Sequence, residues 1–223
     1  MEFLVMGLLV LVVAGVALGL FKNDIKTASS DSRNPLDWEI GPIVNGVNKS
    51  YKMPLHPRRE PNALFAIDLP FPNKEAGHVH YVTYKHGSLK GKRFIRMRYE
   101  LVMGADVKIV PTNFPQHLGM LTLYFQRRGD NWSASGKYET YRWWATFATH
   151  FPLVAGEHEI YASLSDKWTA IMVSDAIGES EAFEAALLDC ERVGFTCGGG
   201  DGYGHGFYAT GPATLIVKEF VVE

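Results

Sequence analysis

The sequence predicts an all-β fold: a two-sheet antiparallel jelly-roll sandwich with one short helix, preceded by an N-terminal transmembrane helix. Three observations carry this. Short runs of β-branched and aromatic residues recur at spacings near ten to fifteen residues, separated by Gly, Pro, Asn and Asp. The 223-residue chain is 13% aromatic and contains 22 glycines, a composition that leans towards strands and tight turns. Residues 3–21 form nineteen positions without a charge. A hydrophobic content of 47% is ample for a core and excludes disorder, while 22 basic against 24 acidic residues leave no surplus to neutralise a phosphate backbone. Nucleic acid is therefore not an expected partner. Two cysteines are too few for a disulfide-dense scaffold or a four-thiolate zinc site.

The run at 3–21, wound as a helix at about 1.5 Å per residue, spans roughly 28 Å, the thickness of a bilayer's hydrocarbon core. The competing reading is a cleaved signal peptide, with Ala17-Leu18-Gly19 as a small-x-small site. Against it, the only charge before the run is Glu2, and the run exceeds the roughly 7–15 apolar residues of a signal sequence. Residues 1–22 are thus read as a single-pass anchor whose partner is the lipid bilayer. Lys22, Lys26 and Arg33 follow the run and no basic residue precedes it, a bias that favours a cytoplasmic C-terminal part. Residues 23–37 are polar and aperiodic and read as a tether, and 38–223 as the β-sandwich domain.

Within that domain the strand candidates are 64–69, 78–84, 93–103, 107–110, 120–126, 138–147, 158–164, 168–173, 193–197 and 213–222. The pattern is sharpest at 94–101, where Arg96, Arg98 and Glu100 alternate with Ile95, Met97, Tyr99 and Leu101, giving one wet face and one core face. The sole helical stretch is 179–189, where Ala182, Phe183, Ala186 and Leu187 repeat at three-four spacing behind acidic residues that suit a helix N-terminus. Nothing alternates as β-α-β, so a parallel sheet is not expected. The last strand should lie centrally in one sheet.

Gly87-Ser88-Leu89-Lys90-Gly91-Lys92-Arg93-Phe94-Ile95 resembles the strand that follows a Gly-bounded turn in sugar-binding jelly rolls, and Gly211-Pro212-Ala213-Thr214-Leu215-Ile216-Val217-Lys218-Glu219-Phe220 is similar to their closing strand. The resemblance is to galactose-binding-like and concanavalin-like domains of the carbohydrate-binding module type. It covers residues 38–223 by pattern and order alone, matches no family-specific motif, and carries over no functional residues.

The densest aromatic and polar segment runs from Tyr124 to Trp132 and on through Tyr138, Tyr141, Arg142, Trp143 and Trp144. Sugars are held by flat rings against their C–H faces with Asp, Asn, Gln and Arg at the rim, so Trp132, Arg128, Asp130, Asn131, Tyr138 and Tyr141 are the candidate ligand-binding residues. The competing reading makes the aromatics ordinary core and Asp130-Asn131 a hairpin turn. On a strand, Tyr141 and Trp143 share one face and Arg142 and Trp144 the other, so at most one of these tryptophans belongs to the core.

Metal binding has weaker support. His78 and His80 stand two apart on one strand face, about 6.5–7 Å from each other, but two ligands do not make a site. Between Cys197 and Gly206, six of ten residues are glycine, and Asp201 there could supply part of a Ca²⁺ site; the plainer reading is a tight loop that lets strands pass. The stretch lacks the Gly-Lys-Ser/Thr of a P-loop. Cys190 and Cys197 would close a loop of about eight residues, and the sequence leaves a bridge or two thiols open.

Catalytic signatures are sparse. The wet face of Arg96, Arg98 and Glu100 bears a likeness to the concave sheet of jelly-roll polysaccharide lyases, in which, as that likeness implies, Arg neutralises a uronate and Tyr or His moves the proton. No paired-carboxylate or Gly-x-Ser-x-Gly motif appears; Glu157 and Glu159 flank His158 on an apparent edge. The leading expectation is a membrane-anchored, non-catalytic carbohydrate-binding module with a polysaccharide or glycan as partner. The alternatives are a structural or envelope jelly-roll protein and a jelly-roll lyase or hydrolase.

Overall fold

The computed structural model describes residues 34–146 and 153–223. The anchor at 1–22 and nearly all of the tether lie outside the described residues, among which no helix is long and apolar enough to cross a membrane. The described chain is mostly β-strand, in antiparallel sheets with a single α-helix, as the sequence predicts.

A six-stranded sheet has the order β1 (Trp38–Gly41), β5 (Tyr81–Lys85), β12 (Cys190–Gly198), β8 (Met120–Arg127), β9 (Arg142–Trp144) and β11 (Thr169–Ala170). A four-stranded sheet has the order β10 (Gly156–Ser163), β6 (Phe94–Met103), β14 (Ala213–Val222) and β4 (Phe65–Asp68). Two short ribbons, β2 (Ile43–Val44) with β3 (Val47–Asn48) and β7 (Ile109–Pro111) with β13 (Phe207–Ala209), close the ends. The last strand is central, flanked by β6 and β4, as anticipated.

The two main sheets meet through their apolar faces in a sandwich-like arrangement. Trp38 of β1 packs its ring 4.8 Å from Phe65 of β4 and 5.1 Å from Phe220 of β14, bridging the layers. Period-two alternation decides which side chains enter this core. In β6, Ile95, Met97, Tyr99 and Leu101 are buried, while Arg96, Arg98 and Glu100 face outwards into ion pairs with Glu219 and Lys218. Those three charged groups are matched by carboxylates and an ammonium on neighbouring strands, which removes them as a free uronate-binding face.

On β8, Leu121, Leu123 and Phe125 point into the core, yet Thr122, Tyr124 and Gln126 on the opposite face are buried as well. The outer face of the six-stranded sheet is therefore covered, and what covers it forms the site described below. The helix α1 (Ser180–Leu188) buries Phe183, Ala186 and Leu187 against the core, with Phe183 packed 4.9 Å from Trp143.

Several elements differ from expectation. The proposed strand at 138–147 is a 3-10 turn, Gly136–Thr140, followed by the three-residue β9. Here the Tyr138 and Tyr141 rings meet edge-on at 4.9 Å rather than extending a strand. Half of 168–173 is a 3-10 turn over Ile171–Val173 after the short β11. His78 lies before β5, not in it. The segment from Gly87 to Arg93 is a loop, although Leu89 within it is fully buried. β1 and β13 escaped the sequence reading because four and three residues are too few to show a period.

Cys190 and Cys197 sit at opposite ends of β12, separated by seven residues of extended chain, or roughly 20 Å at the strand rise. A disulfide needs its Cα atoms within about 7 Å, so no bridge forms within this fold. Both are free and buried. Burial pushes the Cys190 thiol up to about 12 and the Cys197 thiol well above its usual range, which keeps both protonated.

Candidate ligand-binding cleft

The outer face of the six-stranded sheet forms the floor of a cleft of about 700 Å³. Tyr81 from β5, Arg142 and Trp144 from β9 and Ala170 from β11 line that floor. Turns supply the walls: Pro42, Val44 and Lys49 around the β2–β3 ribbon, Trp132 and Ala134 after β8, Ile171 and Met172 after β11, and the glycine-rich loop at Asp201, Tyr203, Gly204 and His205. A smaller hollow of about 160 Å³, lined by Glu39, Thr83, Gln126, Asp130 and Arg192, adjoins it, with Tyr81 and Trp132 lining both.

Alternation on β9 creates the division of labour. Trp143 turns inwards and is fully buried between the sheets, whereas Arg142 and Trp144 turn outwards. Trp144 is nonetheless buried, at 6% exposure, in a second hydrophobic cluster, so alternation assigns the two tryptophans to different clusters instead of leaving one outside a core as expected. Trp144, Tyr124 and Tyr81 then form a separate aromatic cluster on the outer face, with Trp132 and Tyr203 packed against it. Tyr124 lies 5.3 Å from Trp144 and 5.0 Å from Tyr81, and Tyr81 meets Trp132 edge-on at 5.4 Å.

Asp130 organises the polar part. Its Oδ1 accepts from the Trp132 backbone N–H at 3.0 Å, its Oδ2 accepts from Gln126 Nε2 at 3.0 Å, and Oδ2 lies 2.9 Å from Arg142 Nε. The carboxylate is completely buried, and the Arg142 side chain is 10% exposed. Trp132 adopts a left-handed backbone at φ 64°, held by that Asx contact, and presents its ring to the Arg142 guanidinium at 4.8 Å. One carboxylate thus fixes both the aromatic wall and the cation beside it.

Arg142 Nη2, Trp144 Nε1 and His80 Nε2 here are buried without a hydrogen-bond partner, and Arg142 Nε meets Asp130 as an ion pair without hydrogen-bond geometry. His80 Nδ1 is 3.1 Å from the Gly204 carbonyl, which can only accept, so Nδ1 carries the proton and Nε2 presents a lone pair. Burial first, and then the electrostatic influence of the neighbouring His78, His205 and Lys49 side chains, pushes the His80 imidazole down to about 3. His205 is also lowered, by burial first and by the Arg142 charge second. The region therefore offers two unpaired donors and one unpaired acceptor beside aromatic faces.

The glycine-rich loop holds its place by close packing. A Cβ at Gly204 would sit 2.4 Å from the Tyr81 hydroxyl, and one at Gly206 would sit 2.5 Å from the His80 ring. Thr196 Oγ1 donates to the Tyr203 carbonyl at 2.6 Å and anchors the loop to β12. This supports the tight-loop reading of the segment.

Of the six ligand-binding candidates, Trp132 lines the cleft, and Asp130 stands beside it as the group that positions Trp132 and Arg142. Arg128 is exposed and pairs with Asp189 at 3.2 Å, and Asn131 is an exposed turn residue whose Oδ1 accepts from Ser133. Tyr138 and Tyr141 meet edge-on, flanked by Lys137 and Arg127, and line neither hollow. His78 and His80 stack at 4.9 Å, closer than strand spacing implies. Among the described residues no three His, Cys, Asp or Glu side chains come together as a metal site, so Asp201 stands at the cleft rim without carboxylate partners. Sequence reasoning missed Tyr81, Arg142, Trp144, Tyr203 and His205 as one constellation. The outward register shared by Arg142 and Trp144 was the signal that could have found part of it.

In comparison with known proteins, the chain matches no protein-family model and no curated protein sequence.

Proposed function

We propose that this chain is a membrane-anchored, non-catalytic carbohydrate-binding protein, a jelly-roll sandwich of the galactose-binding-like or concanavalin-like kind. The supporting observation is the cleft of about 700 Å³ in which the Trp132, Trp144, Tyr81 and Tyr203 rings stand beside buried, unpartnered polar atoms. A sugar offers C–H faces to aromatic rings and hydroxyls that both donate and accept, and so meets both requirements at once. An apolar ligand would leave Arg142 Nη2 and His80 Nε2 unpaired, at about 1–3 kcal/mol per group. The neighbouring polar hollow beyond Trp132 suits a second sugar ring, so the ligand is an oligosaccharide. Residues 1–22 hold the protein at a bilayer.

A glycan array probed with the detergent-solubilised full chain tests the binding. Retention of saccharides, with affinity rising from mono- to trisaccharide and lost in Trp132→Ala, is expected; no retention of any glycan refutes the reading. Shortening of a bound polymer would move the protein from binding to catalysis. Fractionation tests the anchor: the full chain should sediment with membranes, and full-length protein in the soluble fraction, or a product lacking its first twenty or so residues, would refute it.

A further inference from the structure

We infer that the cleft selects an acidic saccharide, with the ligand's carboxylate seated on Arg142. This rests on the carbohydrate-binding reading above and narrows it to a substrate class. The Arg142 guanidinium is held on two sides: its Nε edge by Asp130 at 2.9 Å and its face by the Trp132 ring at 4.8 Å. Nη2 remains as a buried charged donor with no partner. Guanidinium N–H groups can only donate, and Trp144 Nε1, the other unpaired donor of the floor, has the same restriction. Two adjacent donor-only groups call for an acceptor-rich substituent. A carboxylate supplies acceptors alone, whereas a hydroxyl supplies one donor with its acceptors.

Charge in the cleft points the same way. Lys49 adds a second permanent cation to the wall, and among the described residues Asp201 is the only carboxylate lining the cleft itself, while the Asp130 side chain lies behind Arg142 with no exposure. His205, lowered first by burial, is lowered further by the Arg142 charge beside it. A ring of the ligand lies against Trp132 or Trp144, and its carboxylate turns down towards Arg142.

The test compares a uronate oligosaccharide with the same oligosaccharide after its carboxyl groups have been reduced to alcohols. Binding of each to the detergent-solubilised full chain is followed by isothermal titration. The acidic form should bind about 10–100-fold more tightly than the reduced form, the margin of one charge-assisted hydrogen bond, and its affinity should fall with rising salt. Arg142→Gln should remove most of that difference, weakening the acidic form far more than the reduced form. Because Arg142→Gln also strips Asp130 of its counter-charge, Lys49→Gln, on an exposed side chain, gives a second variant that keeps the fold. It should weaken the acidic ligand several-fold and the reduced one much less. Equal affinity for the two forms, reduced equally by Trp132→Ala, overturns the acidic selectivity and leaves the glycan-binding reading intact. Tighter binding of a sulfated saccharide than of any uronate overturns the carboxylate assignment. Failure of every acidic and neutral saccharide overturns both readings.

Discussion

His80 couples the cleft to the stability of the fold, and acidification exposes the coupling. In the folded protein the imidazole stays neutral down to about pH 3, whereas in an unfolded chain it takes up its proton near 6.5. Below pH 6.5 the unfolded state therefore binds the extra proton, and stability falls as pH falls until the folded-state value is reached. From about pH 7 to pH 5 this single group removes about 2 kcal/mol. Lys49, His78 and His205 bear on the same ring, and none offers the compensating negative charge that would hold a proton there. The assay is urea unfolding followed by tryptophan fluorescence at both pH values, on the native chain and on His80→Gln. Glutamine keeps an N–H for the Gly204 carbonyl but does not titrate, so other acid-sensitive groups cancel in the comparison. The native chain should lose about 2 kcal/mol more than the variant over this interval. Parallel losses would show that His80 accepts its proton freely in the folded state, and the account of a buried, neutral imidazole would be wrong.

Trp143→Ala should destabilise the fold by about 3–5 kcal/mol, because it excavates the core beside Phe183, whereas Trp132→Ala should cost far less and abolish saccharide binding. A loss of 3–5 kcal/mol in Trp132→Ala with unchanged binding would make that ring structural. Asp130→Ala should cost about 3–5 kcal/mol by leaving the Arg142 charge buried and uncompensated, while Asp189→Ala, which releases only the part-exposed and exposed Arg127 and Arg128, should cost under about 1 kcal/mol; equal melting shifts would contradict this ranking. Cys190 and Cys197 should both resist a thiol reagent in the folded protein and both react after unfolding, with melting indifferent to reductant; a reductant-dependent melt would reveal a bridge that the strand geometry forbids.

Much of the fold was legible because antiparallel strands with one core face write their geometry at period two. The 94–101 segment shows this most plainly: each residue assigned to the core from alternation is buried, and the strand ends within a residue of expectation. β14 was read with its observed bounds for the same reason. Legibility failed where strands are too short to express a period, as in β1 and β13, and where both faces are covered. β8 carries Thr122, Tyr124 and Gln126 on its outer face, and the period alone could not reveal that this face is buried. The segment around Tyr138 failed differently. Tyr and Thr suggested a strand, but Gly136 at φ 57° and the Gly136–Thr140 turn set the backbone first.

The site was half legible, and the half that was missed explains how such a cleft is built. Adjacency in sequence favoured Arg128, Asp130, Asn131, Trp132, Tyr138 and Tyr141 as a group, yet a turn scatters neighbouring side chains in several directions, and two of these six reached the two hollows. The residues that converge come from β5, β9, the turn after β8 and the glycine-rich loop, separated by as many as 124 positions between His80 and Gly204. Only the antiparallel register Tyr124↔Trp144 and the pairing of β5 with β12 bring them together. What the sequence did contain was the outward phase of Arg142 and Trp144, opposite to the core phase of Trp143. An arginine and a tryptophan on the solvent phase of a strand beside a tryptophan-bearing turn have only one dry place to go: under that turn. There the arginine needs a counter-ion. Asp130, two residues before Trp132, provides it, so the pair that buries the cation also fixes the aromatic wall.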